Sequence, residues 1–267
     1  NNNNNNNNNN NHHHGQADRD YSEGGMVTGN GGSSSNQIRT TDVIEAVELL
    51  LEADPEAVLH QDTTHGQTPL HLVCKTEGSR EVPLPVVRHL LRCNPRAAAV
   101  PDARQYLPLH YACERGCSPE VVRALLEAHP DAAMALTQNK DTALSLACTC
   151  NKSPETVLLL IRAHEAALKE PNDYGFCPLH CVCRAHQPRM GIVNALLEAC
   201  PESARQRTSS GKTALQLAES NSGTFAGVLQ LLAQTENQLR MRETMGSDGN
   251  DNDTSNSNNN NNNGTSN

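Results

Sequence analysis

The sequence predicts an all-α fold, a solenoid of stacked helix–turn–helix repeats with short β-turn fingers between units. Three observations carry that expectation. A heptapeptide recurs, as Thr68-Pro69-Leu70-His71-Leu72-Val73-Cys74, Leu107-Pro108-Leu109-His110-Tyr111-Ala112-Cys113, Thr142-Ala143-Leu144-Ser145-Leu146-Ala147-Cys148, Cys177-Pro178-Leu179-His180-Cys181-Val182-Cys183 and Thr213-Ala214-Leu215-Gln216-Leu217-Ala218-Glu219. Its second residue falls at 69, 108, 143, 178 and 214, so the steps are 39, 35, 35 and 36. Each copy is followed by apolar residues spaced for one helical face, and each of the first four then by a Pro-x-Ala-Ala-like element, without its proline at His164-Glu165-Ala166-Ala167. Self-similarity of this length is the mark of an array in which each unit buries its apolar face on the next.

Element by element, Asp42 to Ala53 carries a helical apolar face (Val43, Ile44, Val47, Leu50, Leu51) with Thr41 or Asp42 as cap. Asp54-Pro55-Glu56-Ala57-Val58 follows, so the array opens with a half unit at 41–59 that lacks a first helix. Full units are expected at about 60–100, 101–135, 136–170, 171–206 and 207–234. Thr68, Thr142 and Thr213 stand where a hydroxyl caps the first helix, and Pro69 fills its first position, where a missing N–H is harmless. Leu70, Val73 and Cys74 then share a face. The second helices hold Val86-Val87 with Leu90-Leu91, Val121-Val122 with Leu125-Leu126, Thr156-Val157 with Leu160-Ile161, Ile192-Val193 with Leu196-Leu197, and Val228 with Leu231-Leu232. The longer first step is expected to bulge in the link between helices, within 77–85. Glu219 replaces the cysteine of the earlier units, which marks the fifth unit as a C-terminal cap. Thr235 to Met245 suits an extension of the last helix.

Composition narrows the function classes. The chain has 267 residues with a formal charge of −9 and a pI near 5.7, the wrong balance for a nucleic-acid binder. No apolar run approaches the roughly 18 residues of a membrane span. Residues 1–37 and 246–267 are rich in Asn, Ser, Asp and Gly, and such sequence buries too little apolar area to fold, so both ends are expected to be disordered. Asn-rich tails also favour self-association, on composition alone, while the array itself is expected to be monomeric. The first residue is Asn rather than Met, which fits a fragment or a processed product. Of ten cysteines, Cys74, Cys113, Cys148 and Cys183 hold one repeat position, as small buried hydrophobes do in a reducing, intracellular compartment, cytoplasmic or nuclear.

A polar turn with Gly, then Thr-Pro-Leu-His, an apolar helix and a Val-Val-x-x-Leu-Leu helix resembles the ankyrin repeat. The resemblance spans about Asp42 to Ala233 and includes five recognisable units. It departs from the family pattern at Leu107 and Cys177 in place of the capping Thr and at Gln105 and Lys140 in place of the turn Gly. A lost cap costs ~0.5–2 kcal/mol and a non-Gly residue in a left-handed turn ~1 kcal/mol, so the second to fourth units are expected to be softer. The resemblance implies that the repeated histidine bonds to the loop of an adjacent unit, and that a partner is held on a concave surface of turn tips and first helices.

The motifs that tempt a chemical reading are better explained by register. Ser210-Gly211-Lys212-Thr213 lacks the earlier Gly of a phosphate loop, since position 206 is Gln206, and reads as turn, exposed Lys and cap. Cys177, His180, Cys181, Cys183 and His186 form the densest soft-ligand cluster, but the array already assigns most of them, so neither a metal nor any other cofactor is expected. No Ser, Asp or Glu recurs at a fixed distance from His71, His110 and His180, so no triad is supported and the chain is not read as an enzyme. The sequons at Asn151, Asn252 and Asn263 are expected by chance in Asn-rich sequence.

What remains is protein recognition by an adaptor or scaffold. The partner-binding residues expected from the register are Gln67, Arg104, Tyr106, Arg115, Asp141, Tyr174, Phe176, Arg184 and Lys212. Tyr106, Tyr174 and Phe176 are three of only six aromatic Phe and Tyr residues, and they map to turn tips with arginines nearby, the usual interface anchors. The residue just before each motif (Gln67, Tyr106, Asp141, Phe176, Lys212) is expected to face outward. The alternatives are a metal- or redox-responsive cysteine protein, and the interaction region of a larger enzyme or signalling protein.

Overall fold

The computed structural model describes residues 54–75, 84–151 and 153–247, all within the compact unit that begins at Ile38. The expected helix at 42–53, most of the link expected to bulge and both Asn-rich ends lie outside the described residues. Ten α-helices are described: α1 Pro69–Lys75, α2 Leu84–Cys93, α3 Pro108–Arg115, α4 Pro119–Ala128, α5 Ala143–Cys150, α6 Pro154–Ala163, α7 Pro178–Arg184, α8 Met190–Ala199, α9 Ala214–Ser220 and α10 Ala226–Ser247. No strand occurs among these residues. The odd-numbered helices pack in sequence as one layer, α1 on α3 on α5 on α7 on α9, and the even-numbered helices as a second. The fold is an all-α repeat solenoid.

The core is the set of repeat columns. Leu70, Leu109, Leu144 and Leu179 are fully buried, as are Cys74, Cys113, Cys148 and Cys183, while Glu219 at the end of the cysteine column is exposed. The paired residues of the second helices, Val86 and Val87, Val121 and Val122, Ile192 and Val193, face inward in each unit. A further element is more ordered than an exit loop. Pro55–Leu59, Pro95–Ala99, Pro130–Ala133, Glu165–Leu168 and Pro201–Arg205 are 3₁₀ turns, with Asp54 and Asn94 accepting from Glu56 N and Arg96 N as caps. Ala97, Ala98, Ala132, Ala133, Ala167 and Ala204 of these turns are buried, so the element packs into the stack.

The caps and turns explain the rest of the repeat. Thr142 and Thr213 accept from Ser145 N and Gln216 N at 3.1 and 3.4 Å. Where Leu107 and Cys177 replace Thr, part of the cap comes from the histidine three residues on: His110 Nδ1 accepts from Leu107 N at 2.9 Å, and His180 Nδ1 from Cys177 N at 3.2 Å. His71 Nδ1 does the same for Thr68 N at 3.1 Å. Since Nδ1 accepts, each neutral ring carries its proton on Nε2, which donates to the carbonyls of Tyr106, Ala135 and Gln206. One imidazole thus caps its own helix and ties down the entry to the next turn.

Each turn opens on a short acceptor side chain that the sequence reading passed over. Asp62, Asp102, Thr137, Asn172 and Thr208 accept from backbone N–H groups two to four residues ahead. Asp62 is held down to about 2, chiefly by the His65 N–H. The left-handed position is filled by Gly66, Gln105, Lys140, Gly175 and Gly211. Gly175 is fixed twice over, because a Cβ there would lie 2.5 Å from Ser209 N. Successive turns are joined by backbone bonds, Ala103 N to His65 O, Gln138 N to Arg104 O and Asp173 N to Asn139 O, at 2.9 to 3.1 Å. On the helix–helix links, Asn151 bonds to Gln187 O and Arg189 N, and Asn221 to Cys183 O and Ala185 O.

Burial depresses the imidazoles, His110 to about 4, with His71 and His180 also lowered. An unfolded histidine titrates near ~6.5, so below that value the unfolded chain binds protons that the stack refuses. Stability is therefore expected to be full above about pH 6.5 and to fall on acidification by up to ~1.4 kcal/mol per pH unit for each imidazole. Denaturant titrations from pH 7.5 to 4.5 (on the order of steps of half a unit) should show this slope, shallower in His110→Gln. Gln216 already fills that position in the last unit, where its Oε1 accepts from Thr213 N, so the variant keeps the cap. In the same assay Gln105→Gly is expected to stabilise the array by about 1 kcal/mol by removing the left-handed strain.

Candidate functional site

The turns and the C-terminal ends of the odd-numbered helices adjoin one another. Arg184, at the end of α7, lies over the ring of the turn residue Phe176 at 4.7 Å. Lys75, at the end of α1, donates to the turn residue Gln67 at 3.5 Å. Neighbouring turns are linked by Lys140 and Asp173 at 2.9 Å and by Asn172 Nδ2 donating to Asp141 Oδ1 at 2.8 Å. Side chains from several units therefore form one surface on a frame fixed by buried bonds.

The expected recognition residues divide on this surface. Arg104, Tyr174, Arg184 and Lys212 are exposed, Tyr174 at 57%. Arg115, Asp141 and Phe176 are half-buried. Gln67 and Tyr106 correct the expectation that the residue before each motif faces outward, since they are only 3% and 6% exposed. Both are drawn in by Tyr111. The Gln67 amide donates to the Tyr111 hydroxyl at 2.7 Å, that hydroxyl donates to Asp102 Oδ2 at 2.7 Å, and the Tyr106 ring packs 4.9 Å from the Tyr111 ring. Burial opposes ionisation of Asp102, yet hydrogen bonds from Tyr111, from Tyr106 N and Arg104 N, and from Gln67 outweigh it and hold the carboxyl below its ordinary value. The Tyr111 phenol is raised by burial and by that carboxylate. Tyr106 is thus a core residue, while Tyr174 and Phe176 remain at the surface. The signal for this was Tyr111, which stands where the other units place Leu72, Leu146, Cys181 and Leu217.

The chemistry-bearing motifs also take definite places. Gly211 is in a left-handed turn, Lys212 is exposed and Thr213 caps α9, so Gly-Lys-Thr forms a turn rather than a phosphate cradle. Cys177 Sγ lies 2.9 Å from His180 Nδ1, and that ring is already committed to the Cys177 N–H and the Gln206 carbonyl. Among the described residues no three His, Cys, Asp or Glu side chains converge on a point. All ten cysteines are free thiols. Burial pushes Cys181 and Cys183 up to about 12 and raises Cys74, Cys113, Cys148 and Cys177, which suppresses thiolate chemistry in the folded state. No helix among the described residues is long and apolar enough to cross a membrane.

Comparison with known families agrees with this architecture. The family model for ankyrin repeats, built as three copies, matches residues 38–135, 118–201 and 144–242, and the chain belongs to that family. No curated protein matches the chain significantly. Ankyrin repeats are generally protein–protein interaction modules and are typically non-catalytic.

Two outcomes follow from the placements. Tyr106→Ala is expected to destabilise the array by about 3–5 kcal/mol, as for other buried aromatic truncations, whereas Tyr174→Ala should stay within about 0.5 kcal/mol in the same denaturant titration. In native protein a disulfide dye should label the half-buried Cys93 and Cys150 first, and the buried cysteine column only after denaturant is added.

Proposed function

We propose that this protein is a non-catalytic adaptor or scaffold that binds a protein partner on the surface of turn tips and first helices. The carrying observation is the group of Tyr174, Phe176 and Arg184, which presents an exposed aromatic ring and a guanidinium stacked on a second ring. Aromatic and Arg side chains supply most of the binding energy at protein interfaces, and a site held by buried hydrogen bonds loses little freedom on binding. Arg104 and Lys212 extend the surface to the second and fifth units, with Asp141 and Arg115 at its edge. Gln67 and Tyr106 support it from beneath. The free thiols favour a reducing, intracellular compartment, cytoplasmic or nuclear. The array acts as a monomer on this reading.

The test is capture by the full chain against Tyr174→Ala/Arg184→Ala, read by quantitative mass spectrometry of bound proteins. The double variant is expected to lose its specific partners at least about tenfold, the effect of removing an interface anchor, with its melting curve kept. Undiminished capture by a folded variant would sink the proposal.

A further inference from the structure

Charge on this surface is sorted in a way that the whole chain is not. The turns use their acids as internal acceptors. Asp62 and Asp102 each turn Oδ1 onto the backbone N–H groups of their own loops, and Asp141 accepts from the Asn172 amide. Asp173 is exposed but pairs with Lys140 at 2.9 Å. The bases of the same turns and first helices reach the surface: Arg104, Lys140, Arg184, Arg207 and Lys212 are all exposed, with Lys140 held by Asp173 and Arg207 donating to Gly211 O at 2.7 Å. Against them, among the described residues of these elements, the exposed carboxylates are Asp173 and Glu219. A chain with a formal charge of −9 therefore presents cations here, interleaved with Tyr174 and Phe176.

We infer that this surface takes an acidic peptide segment of the partner, its carboxylates meeting Arg104, Arg184 and Lys212 and an apolar side chain resting against Tyr174 and Phe176. The inference rests on the interaction surface proposed above and gives the chemistry of its occupant. Guanidinium groups match carboxylates in paired hydrogen bonds, and the Arg184 guanidinium already lies over the Phe176 ring. Complementary charge of this kind sets partner choice and association rate more than raw affinity. A nucleic acid fits less well, because the net charge of −9 repels a polyanion at long range, whereas a short acidic segment meets mainly the local cations.

A phage-displayed library of random dodecapeptides, panned on the full chain, tests this directly. Enriched peptides should carry an excess of Asp and Glu around an aromatic or branched aliphatic residue. Synthetic copies should lose at least about tenfold in affinity on Arg104→Glu/Arg184→Glu/Lys212→Glu and weaken as salt rises, as expected for screened contacts. Circular-dichroism melting checks that the variant folds; if it does not, Arg104→Glu/Lys212→Glu is read instead. Enriched peptides that are neutral or basic, and that bind the charge-reversed protein equally well, overturn the inference. If those peptides still lose binding on Tyr174→Ala, the interaction surface stands and only its charge preference fails. If no enriched peptide is sensitive to any of these substitutions, both fail. Tighter capture of a single-stranded oligonucleotide than of any enriched peptide also overturns it.

Discussion

No unit of this protein can stand alone. Helices α1 to α9 are seven to ten residues long, below the roughly 12–15 at which isolated helices become stable in water. Their apolar faces are also too wide for one partner, and Val121 with Val122 or Ile192 with Val193 lie on helices packed between those of the units on either side. Stability therefore resides in the junctions between units. The imidazoles of His71, His110 and His180 make that dependence specific, because each links a helix start to the backbone of the following segment. Only the neutral ring can do both, so the geometry selects one protonation state as firmly as it selects one rotamer.

The fold was largely legible because its determinants repeat. The proline and threonine of the helix starts, the cysteine column and the paired branched residues each return at one spacing, and each has a local physical role. The turn-opening acceptors Asp62, Asp102, Thr137, Asn172 and Thr208 were equally periodic but chemically mixed, and a search for identical residues passes over them. The 3₁₀ turns were visible as Pro-x-Ala-Ala, but no propensity argument separates a short buried turn from an exit segment.

The recognition surface was less legible, for a different reason. Whether the residue before a motif faces out depends on a side chain in another unit. Tyr106 and Phe176 have the same register and similar size, yet Tyr111 packs against the first while Cys181, at the corresponding place in its unit, lacks the volume to enclose the second. Likewise Gln67 turns inward because a phenol and a buried carboxylate in the next unit accept its amide. Periodicity locates such a position but leaves its orientation to nonperiodic neighbours.

The link side chain Asn151 has a consequence of another kind. It heads an Asn-Lys-Ser sequon, the pattern to which an oligosaccharide is attached in secretory compartments. Yet it is only 8% exposed, its amide nitrogen donates to Gln187 O at 2.9 Å and its oxygen accepts from Arg189 N at 3.0 Å. A glycan needs that same nitrogen and open space around it. Carbohydrate at this site and the two bonds that tie the link of the fourth unit to the third are thus mutually exclusive.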